Sequence, residues 1–171
     1  MKLPWRIPTY GPVIETSLTE REATELRGLA ILHGLRVLEI GAAFGYSTVL
    51  MGQVSEQLDS VDPHQAHWSL VTIRANLRKY GLEERVTLHV GASQEILPQL
   101  EGGYNIAFVD GDHTAAGVAY DLEQVQRLVG AGGILAFHDW DEDTCPDVRP
   151  VLEAWRSPDY LVDTLAVYRL A

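Results

Sequence analysis

The chain has 171 residues, 46% of them hydrophobic and 22% charged, which is typical of one globular domain. We expect no membrane partner, because no apolar stretch reaches the roughly 18 residues of a membrane span and the N-terminus lacks the apolar centre of a signal peptide. A net charge of −11 repels phosphate backbones and argues against nucleic acid, and the lone cysteine, Cys145, fits a reducing, cytoplasmic location.

Periodicity and turn residues predict helices that alternate with strands. Residues 1–18 form an irregular arm rich in Pro and Gly, and residues 19–171 form the domain. Thr19 and Glu22 make a capping-box pair that begins a helix ending near His33. The next predicted elements are a strand at 36–40, a helix at 48–57, a strand at 58–61, a helix at 65–80 and a strand at 86–90.

The second half of the domain continues the alternation. It contains a helix at 93–100, a strand at 104–109, a helix at 115–129, a strand at 134–137 after a Gly132-Gly133 turn, and a helix at 148–155. Residues 160–170 have room for one strand or for a tight hairpin around Asp163-Thr164. The order predicts an α/β fold, a doubly wound, mostly parallel sheet with helices on both faces and a short antiparallel C-terminal strand or hairpin. An apolar edge at 160–170 favours a homodimer.

Ligands of such a sheet bind beyond the carboxyl ends of its strands. The five predicted ends carry small, polar or charged residues, namely Gly41, Asp62, Gly91–Ser93, Asp110–His113 and His138–Asp139. A purely structural sheet does not need such residues at every end, so these positions are the candidates for chemistry.

The first strand end indicates an adenosine cofactor. Gly41 and Gly45 let backbone approach a ligand, and Asp62, about 20 residues on, is placed to accept both ribose hydroxyls. The Gly-xxx-Gly spacing differs from Gly-x-Gly-xx-Gly, which disfavours a dinucleotide oxidoreductase and points to S-adenosylmethionine (SAM). Two structural alternatives stay open. The glycines could be needed only by the backbone turn between strand and helix, and Asp62 could cap the following helix.

Taken together, these segments resemble class I SAM-dependent methyltransferases with a Rossmann-like fold. Within them, the chain is similar to the small-molecule O-methyltransferases related to catechol O-methyltransferase and to a short bacterial family whose fifth strand ends in His-Asp. The segments that carry the resemblance are Val37–Thr48, Gly91–Leu100, Phe108–His113 and Gly132–Asp139.

The resemblance implies a cofactor site that extends over several strand ends. Its expected residues are Glu39, Gly41, Ala42, Gly45, Asp62, Ser93, Gln94 and Asp110. Ser93 and Gln94 match the positions that meet the adenine edge in these relatives, although Ser93 is also a plausible helix N-cap. Glu39 has the alternative of a solvated or paired acid at a strand end.

The resemblance also implies a catalytic side. Metal-dependent relatives take ligands from positions that match Asp110, His138 and Asp139, which here predict Mg²⁺ or Mn²⁺. The imidazole at His138 stands where those relatives have a carboxylate. It shifts the preference toward Mn²⁺ or a softer ion, or else His138 acts on the substrate without a metal.

His113 stands where the same relatives have their lysine base, three residues after Asp110, and is the candidate proton acceptor. The alternative is a surface histidine at a helix entry. The catalytic set is therefore His113, Asp110 and His138. The expected function is SAM-dependent O-methylation of a hydroxyl on a small molecule or a sugar-bearing natural product. The alternative is a SAM- or nucleoside-binding protein without catalysis, which would not need all the residues of the catalytic side.

Overall fold

A computed structural model describes residues 14, 16–65 and 67–171. Most of the predicted N-terminal arm lies outside the described residues. The helices are α1 Glu20–His33, α2 Tyr46–Gly52, α3 His67–Tyr80, α4 Ser93–Ile96, α5 Ala115–Leu128 and α6 Val148–Trp155. The strands are β1 Arg36–Ile40, β2 Gln57–Asp62, β3 Val86–Val90, β4 Tyr104–Val109, β5 Val129–Phe137, β6 Tyr160–Val162 and β7 Leu165–Arg169. None of the helices in this part of the chain is long and apolar enough to cross a membrane.

The strands form one seven-stranded sheet in the order β3-β2-β1-β4-β5-β7-β6. Strands β1 to β5 run parallel, and the β6–β7 hairpin joins the β5 edge antiparallel. The predicted fold class is confirmed, with the hairpin as the C-terminal alternative that forms. The strand order reverses between β1 and β4, and such a switch point is where α/β sheets open a ligand crevice.

Side chains of the central strands alternate between two hydrophobic cores. Val37 packs in the core that includes α1, α2 and α3, while Leu38 packs in the core beneath α5 and α6. Helices therefore cover both faces, which explains why β4 is an almost continuous apolar run. The polar groups at the strand ends are left for the crevice.

Three elements differ most from their predicted bounds, and other ends differ by one or two residues. Helix α2 begins two residues earlier and ends at Gly52, because Gly45 turns the chain into it with φ 86° and residues 57–62 are taken by β2. Strand β5 begins at Val129, and the glycines predicted to make a turn lie inside it, where its pairing with β4 shifts register. The α4 segment ends at Ile96 and continues as a 3₁₀ turn, Leu97–Gln99, because Pro98 cannot donate a helical hydrogen bond.

Candidate active site

A cavity of about 570 Å³ opens at the switch point between β1 and β4. Its lining includes five of the eight residues predicted for the cofactor: Gly41, Asp62, Ser93, Gln94 and Asp110. A smaller cavity of about 100 Å³ adjoins it and is lined by Ala42, with Gly41, Asp62 and Asp110 shared between the two. The structure thus brings most of the predicted cofactor residues to one crevice, whereas Glu39 and Gly45 line neither cavity.

Asp62 organises the loop that follows β1. Its Oδ2 accepts hydrogen bonds from the backbone N–H groups of Ala42 and Ala43 at 2.8 and 2.9 Å. Its Oδ1 accepts from the N–H of His64 at 2.6 Å. The carboxylate lines the cavity while holding the loop in place, so a ribose placed there would meet an oriented acceptor rather than a mobile one.

The two glycines are required by the fold itself. Gly41 has φ 89°, and a Cβ on it would lie 1.9 Å from the carbonyl oxygen of Asp110. Gly45 has φ 86°, and a Cβ there would lie 2.6 Å from a side-chain carbon of Ile73. Close packing of β1 against β4 and of α2 against α3 therefore accounts for both positions, as the structural alternative for the two glycines proposed. Gly41 still lines both cavities.

Glu39 lies behind the crevice and is fully buried. Its carboxylate accepts hydrogen bonds from the hydroxyls of Ser47, Thr48 and Ser60 at 2.5, 2.6 and 2.7 Å. Burial raises the pKa of Glu39 to about 7, although the three hydroxyls oppose the shift. These hydrogen bonds link β1 to β2 and to α2 beneath the cofactor residues. Neither a solvated acid nor an acid paired with a base describes it.

Ser93 is the first residue of α4, and Ala92 is its N-cap. The capping alternative for the Ser93 side chain is therefore not what forms, and the residue lines the cavity beside Gln94. Asp121, fully buried on α5, lies behind it. Burial raises the pKa of Asp121 to about 6, and the nearby Ser93 hydroxyl opposes that shift.

The predicted catalytic residues converge at the ends of β4 and β5. The Nε2 atom of His113 lies 3.2 Å from Asp110 Oδ1 and 3.1 Å from Asp139 Oδ2. The Nδ1 atom of His138 lies 3.0 Å from Asp139 Oδ1 and 3.5 Å from Asp110 Oδ1. Asp110 belongs both to this cluster and to the cavity lining, so the two predicted functions meet at one residue.

His138 is the most deeply buried member of the cluster, with 2% of its side chain exposed. Its Nδ1 has no hydrogen-bond partner of good geometry, although the two carboxylates face it. Burial lowers the pKa of His138, but its contacts with Asp110, Asp139 and Glu22 outweigh burial and hold the pKa well above its ordinary value.

Glu22 is a member of this site that sequence reasoning missed. It is fully buried, and its Oε2 lies 3.4 Å from His138 Nε2. Its Oε1 accepts from the N–H and the hydroxyl of Thr164 at 2.8 and 2.7 Å, while Oε2 accepts from the N–H of Thr19 at 2.8 Å. The capping-box pattern explained this glutamate fully, so no signal in the sequence indicated its second role.

The cluster has the composition of a cation site. One ligand atom each from Asp110, His138 and Asp139 lie within 4.8 Å of one another. The Nδ1 of His138 has no hydrogen-bond partner and lies 3.5 Å from Asp110 Oδ1 and 3.0 Å from Asp139 Oδ1. These three residues fit a divalent ion, and nearby Cys145 forms a further group with His113 and Asp139.

Comparison with known proteins supports an enzyme with this architecture. Residues 38–140 match a family described as a methyltransferase domain. The catechol O-methyltransferase of Mycobacterium tuberculosis is 26% identical over 156 residues, which cover 75% of this chain and 70% of that protein. Tapetum-specific methyltransferase 1 of Arabidopsis thaliana is 31% identical over 139 residues, which cover 77% of this chain and 58% of that protein.

Among solved structures, the O-methyltransferase TomG of Streptomyces achromogenes, in complex with SAM and involved in tomaymycin synthesis, aligns with a TM-score of 0.74. It is 20% identical, and the alignment covers 94% of this chain and 83% of that one. Since the family match spans more than half of the chain, the predicted enzyme class is confirmed: the chain belongs to the methyltransferase-domain family and has the class I fold of the SAM-dependent O-methyltransferases.

Proposed function

We propose that this enzyme transfers the methyl group of SAM to a hydroxyl of a small molecule, with a divalent ion at the catalytic side. The observation that carries the proposal is the position of Asp110, which lines the cofactor cavity and also contacts His113 and His138. A methyl group bound in the cavity and an oxygen bound at the cluster would then be neighbours, which is the positioning that methyl transfer needs.

The residues of the crevice match the parts of SAM. Gly41 and Ala42 border the smaller cavity, where the methionine part would lie, and the Asp62 carboxylate, held by the N–H of Ala42, would accept the ribose hydroxyls. Ser93 and Gln94 line the far wall, where the adenine edge would be recognised. Bound SAM supplies a sulfonium-activated methyl group, so the chain has to orient two reactants and remove one proton.

The catalytic side has to make the acceptor oxygen nucleophilic. As the methyl group forms its bond to that oxygen and leaves sulfur, the hydroxyl proton must depart. A divalent ion held by Asp110, His138 and Asp139 would lower the pKa of the bound hydroxyl. Two roles are open to His113, whose Nε2 already contacts both carboxylates: it accepts the proton, or it joins the ligands of the ion.

A SAM-binding protein without catalysis remains the second candidate. It would need the cavity and Asp62, but it would not need a buried imidazole whose Nδ1 faces two carboxylates. The similarity to TomG and to the catechol O-methyltransferase of Mycobacterium tuberculosis favours a small hydroxylated acceptor, because both proteins are O-methyltransferases.

Calorimetry with S-adenosylhomocysteine tests the cofactor assignment. Asp62→Ala should weaken binding by about 10- to 100-fold, since it removes charge-assisted hydrogen bonds to the ribose. Asp62→Asn keeps one oxygen for the N–H groups of Ala42 and Ala43 and should lose less. His113→Ala should change affinity by less than about 3-fold.

Absence of heat with folded wild-type protein would refute the cofactor site, and equal losses for Asp62→Ala and His113→Ala would refute the ribose role. Turnover on a panel of hydroxylated small molecules, including catechols and sugars, tests the metal. A chelator should abolish turnover and leave S-adenosylhomocysteine binding intact; full turnover in chelator would exclude the ion.

A further inference from the structure

One buried carboxyl group close to the cofactor cavity has no part in the proposed reaction. Asp121 lies on α5 and is fully buried. Neither of its carboxylate oxygens has a hydrogen-bond partner among residues 14, 16–65 and 67–171. A buried acceptor without a donor lowers stability, and a buried carboxylate does so more than a neutral group. The packing of α5 therefore does not explain why an aspartate stands at this position.

Asp121 lies directly behind the wall of the cavity. The Ser93 hydroxyl is near enough to oppose the rise in the pKa of Asp121, and Ser93 itself lines the cavity. Gly111 lines the same cavity, and a Cβ on Gly111 would lie 3.5 Å from Asp121 Oδ2. Ser93 and Gly111 therefore stand between the carboxylate and any molecule that the cavity binds.

This end of the cavity is rich in hydrogen-bond acceptors. Burial raises the pKa of Asp121 to about 6, and the negative charge of Asp112 adds to the rise. A carboxyl group with that pKa is mostly ionised at neutral pH, where it accepts hydrogen bonds but cannot donate one. Asp112 also lines the cavity, and its Oδ1 accepts from the N–H of Thr114 at 3.0 Å. Two carboxylates thus face the same region of the site, which favours a ligand edge that donates.

The Ser93 hydroxyl can connect the buried carboxylate to a ligand. A serine hydroxyl has one proton to donate and two lone pairs that accept. When the proton is directed to the charged Asp121, only the lone pairs remain for a molecule in the cavity. Ser93 then selects a group that donates a hydrogen bond. The amino group at C6 of adenine is such a donor, whereas the oxygen at C6 of hypoxanthine is an acceptor.

We propose that Asp121 is a positioning residue for cofactor specificity, because through the Ser93 hydroxyl it makes the cavity select a 6-amino purine over a 6-oxo purine. The proposal rests on the proposed function for the placement of adenine beside Ser93 and Gln94. It goes beyond that function, since Asp121 matches none of the positions expected from the resemblance. The carboxylate without a partner then serves to discriminate between ligands.

The affinity ratio of two ligands tests the proposal. S-adenosylhomocysteine has an amino group at C6 of its purine, and S-inosylhomocysteine has an oxo group there. Calorimetry at neutral pH should show that the wild-type enzyme binds S-adenosylhomocysteine at least about 30-fold more tightly, because the oxo group would set one acceptor against another. Asp121→Asn removes the charge and can donate to Ser93, so the ratio should fall at least about threefold. Asp121→Leu leaves the Ser93 proton free for either ligand and should bring the ratio to within about threefold of one.

Glu123→Gln is the matched control, because it removes an exposed carboxylate from the same helix and should keep the wild-type ratio. Circular dichroism checks that the variants fold, and the ratio of Asp121→Asn decides if Asp121→Leu does not. A wild-type ratio near one, or an unchanged ratio in folded Asp121→Asn, would overturn the proposal. Failure of S-adenosylhomocysteine to bind the wild-type enzyme would refute the cofactor site and this proposal with it, whereas binding without preference would refute only the proposal.

Discussion

Two buried glutamates stand behind the two sides of the crevice and behave in opposite ways. Glu39 supports the cofactor side, and Glu22 supports the catalytic side; both are fully buried. Burial raises the pKa of Glu39 to about 7 against three hydroxyl donors. Burial also acts to raise the pKa of Glu22, but hydrogen bonds from His138, Thr19 and Thr164 outweigh it and bring the pKa to about 2.

The difference lies in the partners rather than in the number of hydrogen bonds. Glu39 meets only neutral hydroxyls, which do not compensate for a buried charge, whereas Glu22 has an imidazole beside it. On the cofactor side, hydroxyl groups and backbone N–H groups therefore satisfy the carboxylates of Glu39 and Asp62, and no Lys or Arg side chain of the described residues contacts them. The catalytic side is arranged around positive charge, supplied by protons or by an ion.

The two sides meet where Gly41 contacts Asp110, and this is where the largest effect is expected. Gly41→Ala places a Cβ 1.9 Å from the Asp110 carbonyl oxygen at φ 89° and should lower the free energy of unfolding by about 4 kcal/mol, or prevent folding. Gly81→Ala is the control, because Gly81 also has positive φ but has open space around it, and should cost about 1 kcal/mol. Urea denaturation measures both, and similar losses would show that the contact between the two sides is loose.

The catalytic side should depend strongly on its buried acid. Glu22→Ala leaves Thr164, Thr19 and His138 without an acceptor and should lower the free energy of unfolding by about 3 kcal/mol. Glu22→Gln retains one oxygen and should lose roughly half as much. Exposed Glu20, two residues earlier on α1, is the control, and its replacement by Ala should cost about 0.5 kcal/mol or less. A Glu22→Ala loss no larger than that of Glu20→Ala would remove the contrast between the two glutamates.

The cofactor side should show its difference as a pH dependence. Because the folded-state pKa of Glu39 is raised from 4.5 to about 7, the folded state keeps the proton longer than the unfolded chain. The contribution of Glu39 to stability is then greatest at low pH and is lost as pH rises, by about 2 kcal/mol between pH 5 and pH 7. Glu39→Gln cannot titrate, so its unfolding free energy should decline less over this range by that amount. Parallel pH profiles for wild type and Glu39→Gln, measured by denaturation, would contradict the raised pKa.

The sequence predicted most of the fold because each strand of the parallel sheet is a short apolar or alternating segment followed by a small or polar residue. The alternation of strands with helices predicted that helices cover both faces of the sheet. The His-Asp pair after β5 predicted the position of the catalytic cluster. The position of Glu22 was not predictable, since its contact with Thr164 joins residues 142 positions apart. The Gly132-Gly133 pair suggested a turn because a register shift inside a strand uses the same residues as a turn.

The reasons for the two rim glycines were also beyond local pattern. Both a bound ligand and close backbone packing favour glycine with positive φ, and only the distances to Asp110 and Ile73 distinguish them. Glu39 posed the same difficulty, because an acid at a strand end is equally consistent with a ligand contact and with a buried brace between β1, β2 and α2. Non-local neighbours decide such cases.

The contact of Thr164 with Glu22 gives the C-terminal hairpin a part in the chemistry. The same turn also receives Arg21 and the hydroxyl of Thr19 at Asp163, so the first helix and the last two strands close around one side of His138. Replacement of the β6–β7 hairpin by one from another enzyme would therefore disturb the contact between Glu22 and His138. The ends of the parallel strands would keep their own contacts. Chimeras of this enzyme should therefore exchange α1 and the β6–β7 hairpin together.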